Sequence, residues 1–170
     1  RTSHEIVARH FPNARTREIM VTPLPANPLC WGMLAIQTEG DRFIERSALL
    51  SLAPSLIPAA RCVQDRRITT APLTPVPAPS SIQIEYRGQF SGSLFELRAL
   101  GRDHCVARGL LRFTRAPFWL PDGDDALIFG DLRYDRDPDL GFAEMKLERS
   151  PARCPRFVPD WLPPRRDVLE

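Results

Sequence analysis

The chain has 170 residues, of which 43% are hydrophobic and 26% charged, and this is the composition of a globular protein rather than of a disordered or fibrous one. Its 23 basic residues are nearly matched by 21 acidic ones and are scattered along the chain, so no nucleic-acid partner is indicated. No apolar stretch approaches the roughly 20 residues that span a bilayer.

The first half of the chain is predicted to form one helix and three strands. Thr2 and Glu5 have the spacing of a helix capping box, and the helix is expected to run from Ser3 to about His10. Both faces of the segment 29–39 are apolar, which indicates a central strand covered on both sides. The predicted strands span residues 17–22, 29–39 and 42–50.

Prolines are frequent in this half. In the stretch V-T-P-L-P-A-N-P-L-C-W, Pro23, Pro25 and Pro28 are expected to lie outside the strand pairing as a stiff connection, because proline cannot donate to a sheet ladder. Residues 51–81 form an irregular, proline-rich segment, within which residues 69–81 are expected to be extended. The alternative interpretation of these prolines is a ligand for a protein partner.

The second half is predicted to contain two helices. Ser93 and Glu96 form a second capping box, and Asp103 is expected to cap a second helix that ends before Pro117. His104 would then lie in the first turn of that helix, where we expect it at the surface.

Two strands, over residues 126–134 and 141–148, are predicted to close the core. In the second of them, alternation places Ala143, Met145 and Leu147 inside and Glu144 outside. The resulting order, β-β-β-α-α-β-β, predicts an α+β fold, a mostly antiparallel sheet of about five strands with the helices packed on one face. We expect a single domain over residues 1–150 and a proline-rich tail over residues 151–170.

The chain contains four cysteines, and none forms a C-x-x-C pair, so neither a zinc knuckle nor a thioredoxin-type motif is indicated. The sequence does not choose among their pairings. The favoured interpretation is four buried or half-buried thiols, and a disulfide in an oxidising compartment is the alternative. The four are Cys30, Cys62, Cys105 and Cys154.

The polar set of greatest interest lies in G-D-L-R-Y-D, residues 130–135. On a strand, Asp131, Arg133 and Asp135 would share one face, and Arg133 could form a planar bidentate pair with a carboxylate. The set is either an ion-pair ladder at the surface or, together with Glu144 from the next strand, a patch that faces a partner or ligand. No residue is assigned as catalytic or as a metal ligand.

Other motifs give little support to a cofactor. Asp135, Asp137 and Asp139 alternate as at the start of a calcium loop, but Leu140 and Lys146 stand where such a loop needs Gly and a bidentate Glu. A charged hairpin turn is therefore predicted there. The histidines have no metal-ligand spacing and no nucleotide-binding glycine motif occurs, so no cofactor is expected in this segment.

Three stretches together resemble a known family. They are T-P-L-P-A-N-P-L-C-W (22–31), L-R-A-L-G-R-D-H-C-V-A-R-G-L-L-R-F-T-R-A-P-F-W (97–119) and G-D-L-R-Y-D-R-D-P-D-L-G-F-A-E (130–144). They are similar to the C-terminal soluble portion of the bacterial membrane-bound metal-dependent hydrolases, an uncharacterised inner-membrane group. The resemblance covers about residues 5–148 and is weaker across 63–88. The residues that match its signatures are Pro23, Pro25, Pro28, Trp31, Pro117, Trp119, Asp131, Arg133 and Tyr134.

The resemblance implies an accessory role. In that family the metal ligands, which include an H-R-x-x-T-H type motif, are assigned to the N-terminal membrane-embedded half, and this chain lacks that motif. It therefore implies a soluble domain that is not catalytic alone, that positions substrate or binds a protein partner, and that reaches the inner membrane through an N-terminal half containing a divalent metal. The chain opens on Arg1 without an initiator Met, which fits a piece of a longer protein.

Two alternatives belong to other classes of function. One is an autonomous hydrolase that uses carboxylates around Asp131 and Glu144, and the other is a plain protein-interaction module. Cysteine content and proline-rich loops favour the periplasmic side of the membrane, whereas Arg9, Arg15 and Arg17 would favour the cytoplasmic side.

Overall fold

The computed structural model describes residues 2–25, 27–62, 71–135 and 141–149. In these ranges the protein contains helices and, predominantly, strands, with seven strands in two antiparallel sheets. The chain divides into two compact units, which we describe separately. Unit 1 comprises Arg1–Arg67 and Leu73–Ser91, and unit 2 comprises Ile68–Pro72 and Gly92–Glu170.

Unit 1 contains a four-stranded sheet in which the strands follow one another in chain order. Helix α1 precedes the sheet, and a short 3-10 helix follows the third strand. The bounds are α1 Thr2–His10, β1 Arg15–Leu24, β2 Asn27–Glu39, β3 Arg42–Ser51, the 3-10 helix Ala59–Arg61 and β4 Ile84–Ser93, whose last two residues belong to unit 2. The predicted helix and the first three predicted strands are thus confirmed, with ends that differ by at most two residues.

Both faces of β2 are buried, as its two apolar faces predict. On one face Met33 and Ala35 pack in a cluster with Ile6, Val7 and Phe11 from α1 and the residue after it. On the other face Cys30 packs in a second cluster whose members also include Leu24, Leu49 and Cys62. Burial on both sides of one strand fixes β2 in the middle of the unit.

The prediction that the prolines lie outside the strand pairing is wrong for Pro23. This residue lies within β1 and pairs with Trp31 of β2, while Pro28 lies inside the bounds of β2 and Pro25 lies in the turn. Pro23 is tolerated because β1 is an edge strand, which needs only the N–H groups on its inner side for the ladder, and Pro28 has no partner in the pairing of β1 with β2.

The proline-rich segment after β3 lies along the outer side of β4. Thr74 exchanges both of its backbone hydrogen bonds with Gln89, each at 2.8 Å, and Ser80 Oγ accepts from the Tyr86 N–H at 3.1 Å. Val76 and Ala78 pack against the cluster under α1, while Pro75, Pro77 and Pro79 are exposed. Residues 71–81 form neither a helix nor a named strand, as predicted, and residues 63–70 lie outside the described ranges.

A disulfide joins β2 to the residue that follows the 3-10 helix. Cys30 of β2 is bonded to Cys62, with their Cα atoms 5.5 Å apart and a sequence separation of 32. Cys105 is disulfide-bonded as well. The favoured interpretation of these cysteines as thiols is therefore wrong, because two side chains that are distant in sequence are brought within bonding range only by the fold.

Unit 2 contains two helices and a three-stranded antiparallel sheet in the order β5-β6-β7. Ser93 caps the first helix as predicted, since its Oγ accepts from the Glu96 N–H at 3.3 Å. The bounds are α2 Leu94–Asp103, α3 Cys105–Leu110, β5 Pro117–Pro121, β6 Ala126–Asp131 and β7 Glu144–Glu148.

Close packing in unit 2 depends on glycines opposite aromatic rings. Phe118 is fully buried and lies against Gly130, where a Cβ would come within 2.5 Å of the ring. Trp119 lies against Gly92 in the same way. Both rings can pack this tightly only because the facing residue has no side chain.

The α+β class and the antiparallel pairing are confirmed, whereas the sheet arrangement differs from the prediction. Two sheets of four and three strands replace one sheet of about five, because β4 and β5 are additional strands that the sequence pattern did not indicate. The prediction of a single domain over residues 1–150 stays a prediction. In the described part of the chain, no helix is long and apolar enough to cross a membrane.

Candidate functional site

The polar set predicted around residues 130–135 lies at the end of β6, not along it. Strand β6 ends at Asp131, and Leu132 to Tyr134 form a turn, closed by a 2.9 Å hydrogen bond from the Tyr134 N–H to the Asp131 carbonyl. The prediction that Asp131, Arg133 and Asp135 share one strand face is therefore wrong. The cause is local, since an Asp side chain that bonds to the backbone ahead of it competes with the sheet ladder.

Asp131 is the centre of this turn and is only 2% exposed. Its Oδ1 accepts from the backbone N–H of Arg133, and its Oδ2 accepts from the backbone N–H of Arg115, each at 3.0 Å. The Arg133 side chain donates as well. Its Nε lies 3.0 Å from both carboxylate oxygens, and its Nη2 lies 2.6 Å from Oδ2. The carboxylate thus ties the end of β6 to the segment that follows α3.

Arg133 is held on three sides. Besides the carboxylate, its Nη2 donates to the carbonyl of Phe113 at 3.1 Å, and its guanidinium lies 4.9 Å from the centre of the Tyr134 ring. The Tyr134 ring in turn meets Phe142 edge-on, with ring centres 5.9 Å apart. Arg133 therefore has a fixed position in the turn, with one quarter of its side chain exposed (24%).

The other two members of the predicted set are also buried. Glu144 begins β7 opposite Gly130, and its Oε2 accepts from the Gly141 N–H at 3.2 Å. Asp135 is fully buried and accepts from the Ala71 N–H at 2.7 Å. The structure thus pairs Asp131 with Arg133. Glu144 lies on the neighbouring strand opposite Gly130, the residue before Asp131, and Asp135 bonds to a different segment at Ala71.

The inward and outward assignment of β7 is wrong at its start. Glu144 is 9% exposed and Met145 is 45% exposed, which is the reverse of the prediction, whereas Leu147 is buried as expected. Gly130 leaves space that the methylene groups of Glu144 fill, since a Cβ on Gly130 would come within 2.8 Å of Glu144 Cγ. Residues 136–140, where a charged hairpin turn was predicted, lie outside the described ranges.

The chemistry of this arrangement is that of a structural ion pair. A general base needs an accessible lone pair within reach of a substrate proton, and the Asp131 oxygens are engaged by two backbone N–H groups and a bidentate guanidinium. Across the described ranges, no group of three or more His, Cys, Asp or Glu side chains is placed to hold a metal ion.

A second polar cluster, which the sequence analysis missed, lies in unit 1 beneath α1. Arg46 of β3 is 2% exposed, its guanidinium lies 3.7 Å from the centre of the Phe11 ring, and its Nε donates to Gln89 Oε1 at 3.0 Å. A second hydrogen bond joins its Nη1 to Gln37 Oε1. The charged pair Glu45–Arg46, which stands between the apolar residues Phe43–Ile44 and Ala48–Leu50 of β3, was the signal that could have indicated this cluster.

Burial changes the acid–base behaviour of this cluster. It lowers the pKa of Arg46 to about 10, because the charged form is disfavoured away from water, and it raises the pKa of Tyr86 to about 12. The Tyr86 hydroxyl is also 2.8 Å from Nδ1 of His10. Arg46 stays charged at neutral pH, so the cluster is a cation held by amide and aromatic groups at the helix–sheet boundary.

His104 has a different role from the one predicted. It is 4% exposed and is itself the cap of α3, since its Nδ1 accepts from the Ala107 N–H at 3.1 Å. Asp103, the predicted cap, instead pairs with Arg102 at the surface, at 2.7 Å. Because Nδ1 accepts, the ring proton is on Nε2, which lies 2.7 Å from the carbonyl of Glu148.

Comparison of the chain with protein-family models, with curated proteins and with solved structures finds no match. The resemblance to the membrane-bound metal-dependent hydrolases stays a prediction. Of the residues that carry it, Pro117 begins β5 opposite Asp131, and Trp119 is buried in the same strand.

Proposed function

We propose that the chain is an accessory domain of an inner-membrane protein and is not catalytic alone. In this proposal the domain lies on the side of the membrane that faces an oxidising compartment. In this proposal the metal-dependent chemistry belongs to a membrane-embedded N-terminal half. The domain positions substrate for that half or binds a protein partner. The compartment we propose is the periplasm.

The engagement of Asp131 carries the non-catalytic part of this proposal. The Asp131 carboxylate is the candidate for acid–base chemistry in the autonomous-hydrolase alternative. It accepts hydrogen bonds from two backbone N–H groups and from the Arg133 side chain. Freeing it for catalysis would break an ion pair whose carboxylate is 3% exposed, and such breakage typically costs several kcal/mol (about 3–5). The set is therefore better suited to stabilising a turn than to transferring protons.

The Cys30–Cys62 disulfide supports the choice of compartment. Both cysteines are buried, at 0% and 3% exposed, and structural disulfides persist in oxidising surroundings such as the bacterial periplasm.

A hydrolase assay with added Zn²⁺ or Mn²⁺ tests the catalytic part. We expect residues 1–170 to give no metal-stimulated hydrolysis of simple phosphate and carboxylic esters, and Asp131→Asn to lower the stability of the fold. The control is Asp103→Asn, which changes an exposed carboxylate. Metal-stimulated hydrolysis that Asp131→Asn abolishes while the protein stays folded would replace this proposal with an autonomous enzyme.

The sequence of the gene upstream of the Arg1 codon tests the membrane part. We expect several apolar segments of roughly 20 residues together with an H-R-x-x-T-H motif. A start codon directly before Arg1 would contradict the proposal. Denaturation of whole cells in an alkylating reagent then tests the compartment, because once the chain is unfolded only a disulfide protects Cys30 and Cys62 from alkylation before reduction.

A further inference from the structure

One end of the four-stranded sheet of unit 1 presents aliphatic side chains to solvent. Leu52 follows β3, Leu56 lies in the next turn and Ile82 precedes β4, and these side chains are 61%, 74% and 66% exposed. We call these three residues the aliphatic tip. Single exposed apolar residues are ordinary in soluble proteins, whereas a contiguous exposed group indicates an interaction surface.

Backbone hydrogen bonds bring the members of the tip together. The N–H of Ser51 donates to the carbonyl of Gln83 at 2.9 Å, so Leu52 and Ile82, the next residues outward, flank the same bond. Leu56 follows within one turn, which is closed by a 2.9 Å bond from its N–H to the carbonyl of the residue after Leu52. The three side chains thus belong to one corner of the unit.

The loop over residues 52–58 is held in place before anything binds to it. The Ser51 hydroxyl donates to the carbonyl of Ile57, and the Ala59 N–H donates to the carbonyl of Ile82 at 2.8 Å. The Cys30–Cys62 disulfide then fixes the end of the 3-10 helix that follows the loop. A preorganised surface loses little conformational entropy on binding.

The chain segments that meet at this end of the sheet contain no charged residue. Residues 19–38, 47–60 and 73–84 include no Asp, Glu, Lys, Arg or His, in a chain of which 26% is charged. Burial explains this for the strands but not for the loops, because the described residues that are exposed in these segments are proline, serine, threonine, alanine, valine, leucine and isoleucine. The charged residues that follow the tip in sequence are Arg61, which is exposed, and Glu85, which is half-buried.

Charge in the strands of unit 1 is concentrated toward the other end of the sheet. The turn between β2 and β3 contains Glu39, Asp41 and Arg42, and Arg15 begins β1 opposite Thr38. Strand β3, of ten residues, separates this turn from the tip by about 30 Å. The two ends of the sheet therefore suit different surroundings.

We propose that the aliphatic tip inserts into the surface of a lipid bilayer and turns this end of unit 1 toward the membrane. Leu and Ile are among the side chains that enter hydrocarbon most favourably, whereas charged side chains enter it at a large cost. Protein interfaces depend instead on Trp, Tyr and Arg, and Leu is under-represented among the residues that contribute most to them. A tip of Leu and Ile in uncharged loops is therefore better matched to acyl chains than to a protein partner. The inference goes beyond the proposed function and does not depend on it, because all of these residues belong to this chain.

Co-sedimentation of the full chain with vesicles tests the inference. We expect binding to pure phosphatidylcholine that does not weaken as salt is raised, because the contact is apolar and is not screened. Leu52→Asp and Leu56→Asp should each lower the partition coefficient at least about tenfold, because each places a charge in the lipid contact. Both side chains are mostly exposed, so the melting temperature should stay unchanged. Phe95→Asp, which replaces a 67% exposed side chain of α2 in unit 2, is the control and should change the coefficient less than twofold.

Brominated phosphatidylcholine locates the end that inserts, because bromine on an acyl chain quenches a nearby tryptophan. Leu56→Trp should add emission that the brominated lipid quenches. Asp41→Trp, in the turn at the other end of β3, should add emission that it does not quench.

Absence of binding to phosphatidylcholine vesicles would overturn the proposal, and so would binding that requires anionic lipid and is lost in salt. Equal losses for Leu56→Asp and Phe95→Asp, or equal quenching of Leu56→Trp and Asp41→Trp, would also contradict it. Self-association that Leu56→Asp abolishes, without vesicle binding, would assign the tip to a protein interface instead. The gene sequence upstream of Arg1 tests the proposed function separately, so failure of one proposal is distinguishable from failure of the other.

Discussion

His104 joins the start of α3 to the end of β7, because its Nε2 donates to the carbonyl oxygen of Glu148 at 2.7 Å while its Nδ1 accepts from the helix. One buried ring therefore satisfies two backbone groups that are distant in sequence. Helix and sheet of unit 2 are connected at this point by a hydrogen-bonded side chain as well as by apolar packing.

We expect His104→Ala to lower the free energy of unfolding by about 2 kcal/mol, since it removes a helix cap and leaves the Glu148 carbonyl without this donor. Urea denaturation followed by circular dichroism measures the change. Asp103→Ala is the control, because the Asp103–Arg102 ion pair is exposed and such surface pairs contribute little to stability. A larger loss for Asp103→Ala than for His104→Ala would restore Asp103 as the cap.

The Cys30–Cys62 disulfide should be a major source of stability in unit 1. It closes a loop with a sequence separation of 32, and the chain-entropy relation gives about 3–4 kcal/mol for a loop of this length. We expect the double variant Cys30→Ala, Cys62→Ala to lose about that amount in denaturant titrations. A loss below about 1 kcal/mol would show that the reduced chain is already constrained around the 3-10 helix.

Glycine packing against tryptophan gives a steric prediction. A Cβ on Gly92 would overlap the Trp119 ring, whereas a Cβ on Gly32 would meet its nearest atoms, in Leu24 and Thr22, at an ordinary 3.8 Å. Gly92→Ala should therefore destabilise the protein by about 1–3 kcal/mol, and Gly32→Ala should change stability by less than about 0.5 kcal/mol. Thermal unfolding of the two variants side by side decides the matter, and equal melting temperatures would contradict it.

Tyr86 should ionise well above the ordinary range for tyrosine. Burial raises its pKa to about 12, and ultraviolet titration of the protein minus that of Tyr86→Phe isolates this one phenol. The corresponding stability is full below the ordinary tyrosine pKa of about 10 and is lost as pH rises toward 12, because the folded protein holds the proton longer than the unfolded chain does. After allowance for solvent screening we expect about 1 kcal/mol.

Arg46 opposes this trend in the same pH range. Its pKa is lowered to about 10 in the folded protein, so the unfolded chain binds that proton more tightly and stability rises with pH. The two contributions partly cancel in a denaturation experiment, which is why the spectroscopic titration is the sharper measurement. A Tyr86 midpoint near pH 10 would contradict the prediction.

Strands with clear apolar faces and turn signals could be predicted from sequence, and others could not. Strands β2 and β3 follow the predicted ranges closely. The pattern of β4 is interrupted by Gly88 and Gly92, and β5 is bounded by Pro117 and Pro121, so their residues resemble breakers. Strand β4 lies beside β3, which is distant in sequence, and Trp119 of β5 packs against Gly92 of β4. A local pattern does not contain that information.

The candidate site was predicted by residue and not by geometry. The pairing of Asp131 with Arg133 follows from their types and spacing, but the turn depends on Asp131 accepting from the Arg133 backbone instead of continuing the strand. Bonding of Asp135 to Ala71 joins residues 64 positions apart, and no local signal indicates it.

The exposed prolines beside β4 affect how the protein behaves at high concentration. An uncovered edge strand offers a row of donors and acceptors on which another chain can assemble into fibrils. Here Thr74 already occupies the backbone groups of Gln89, and the outward Pro75, Pro77 and Pro79 present no N–H to an incoming strand. This side of the sheet is therefore a poor template for amyloid growth.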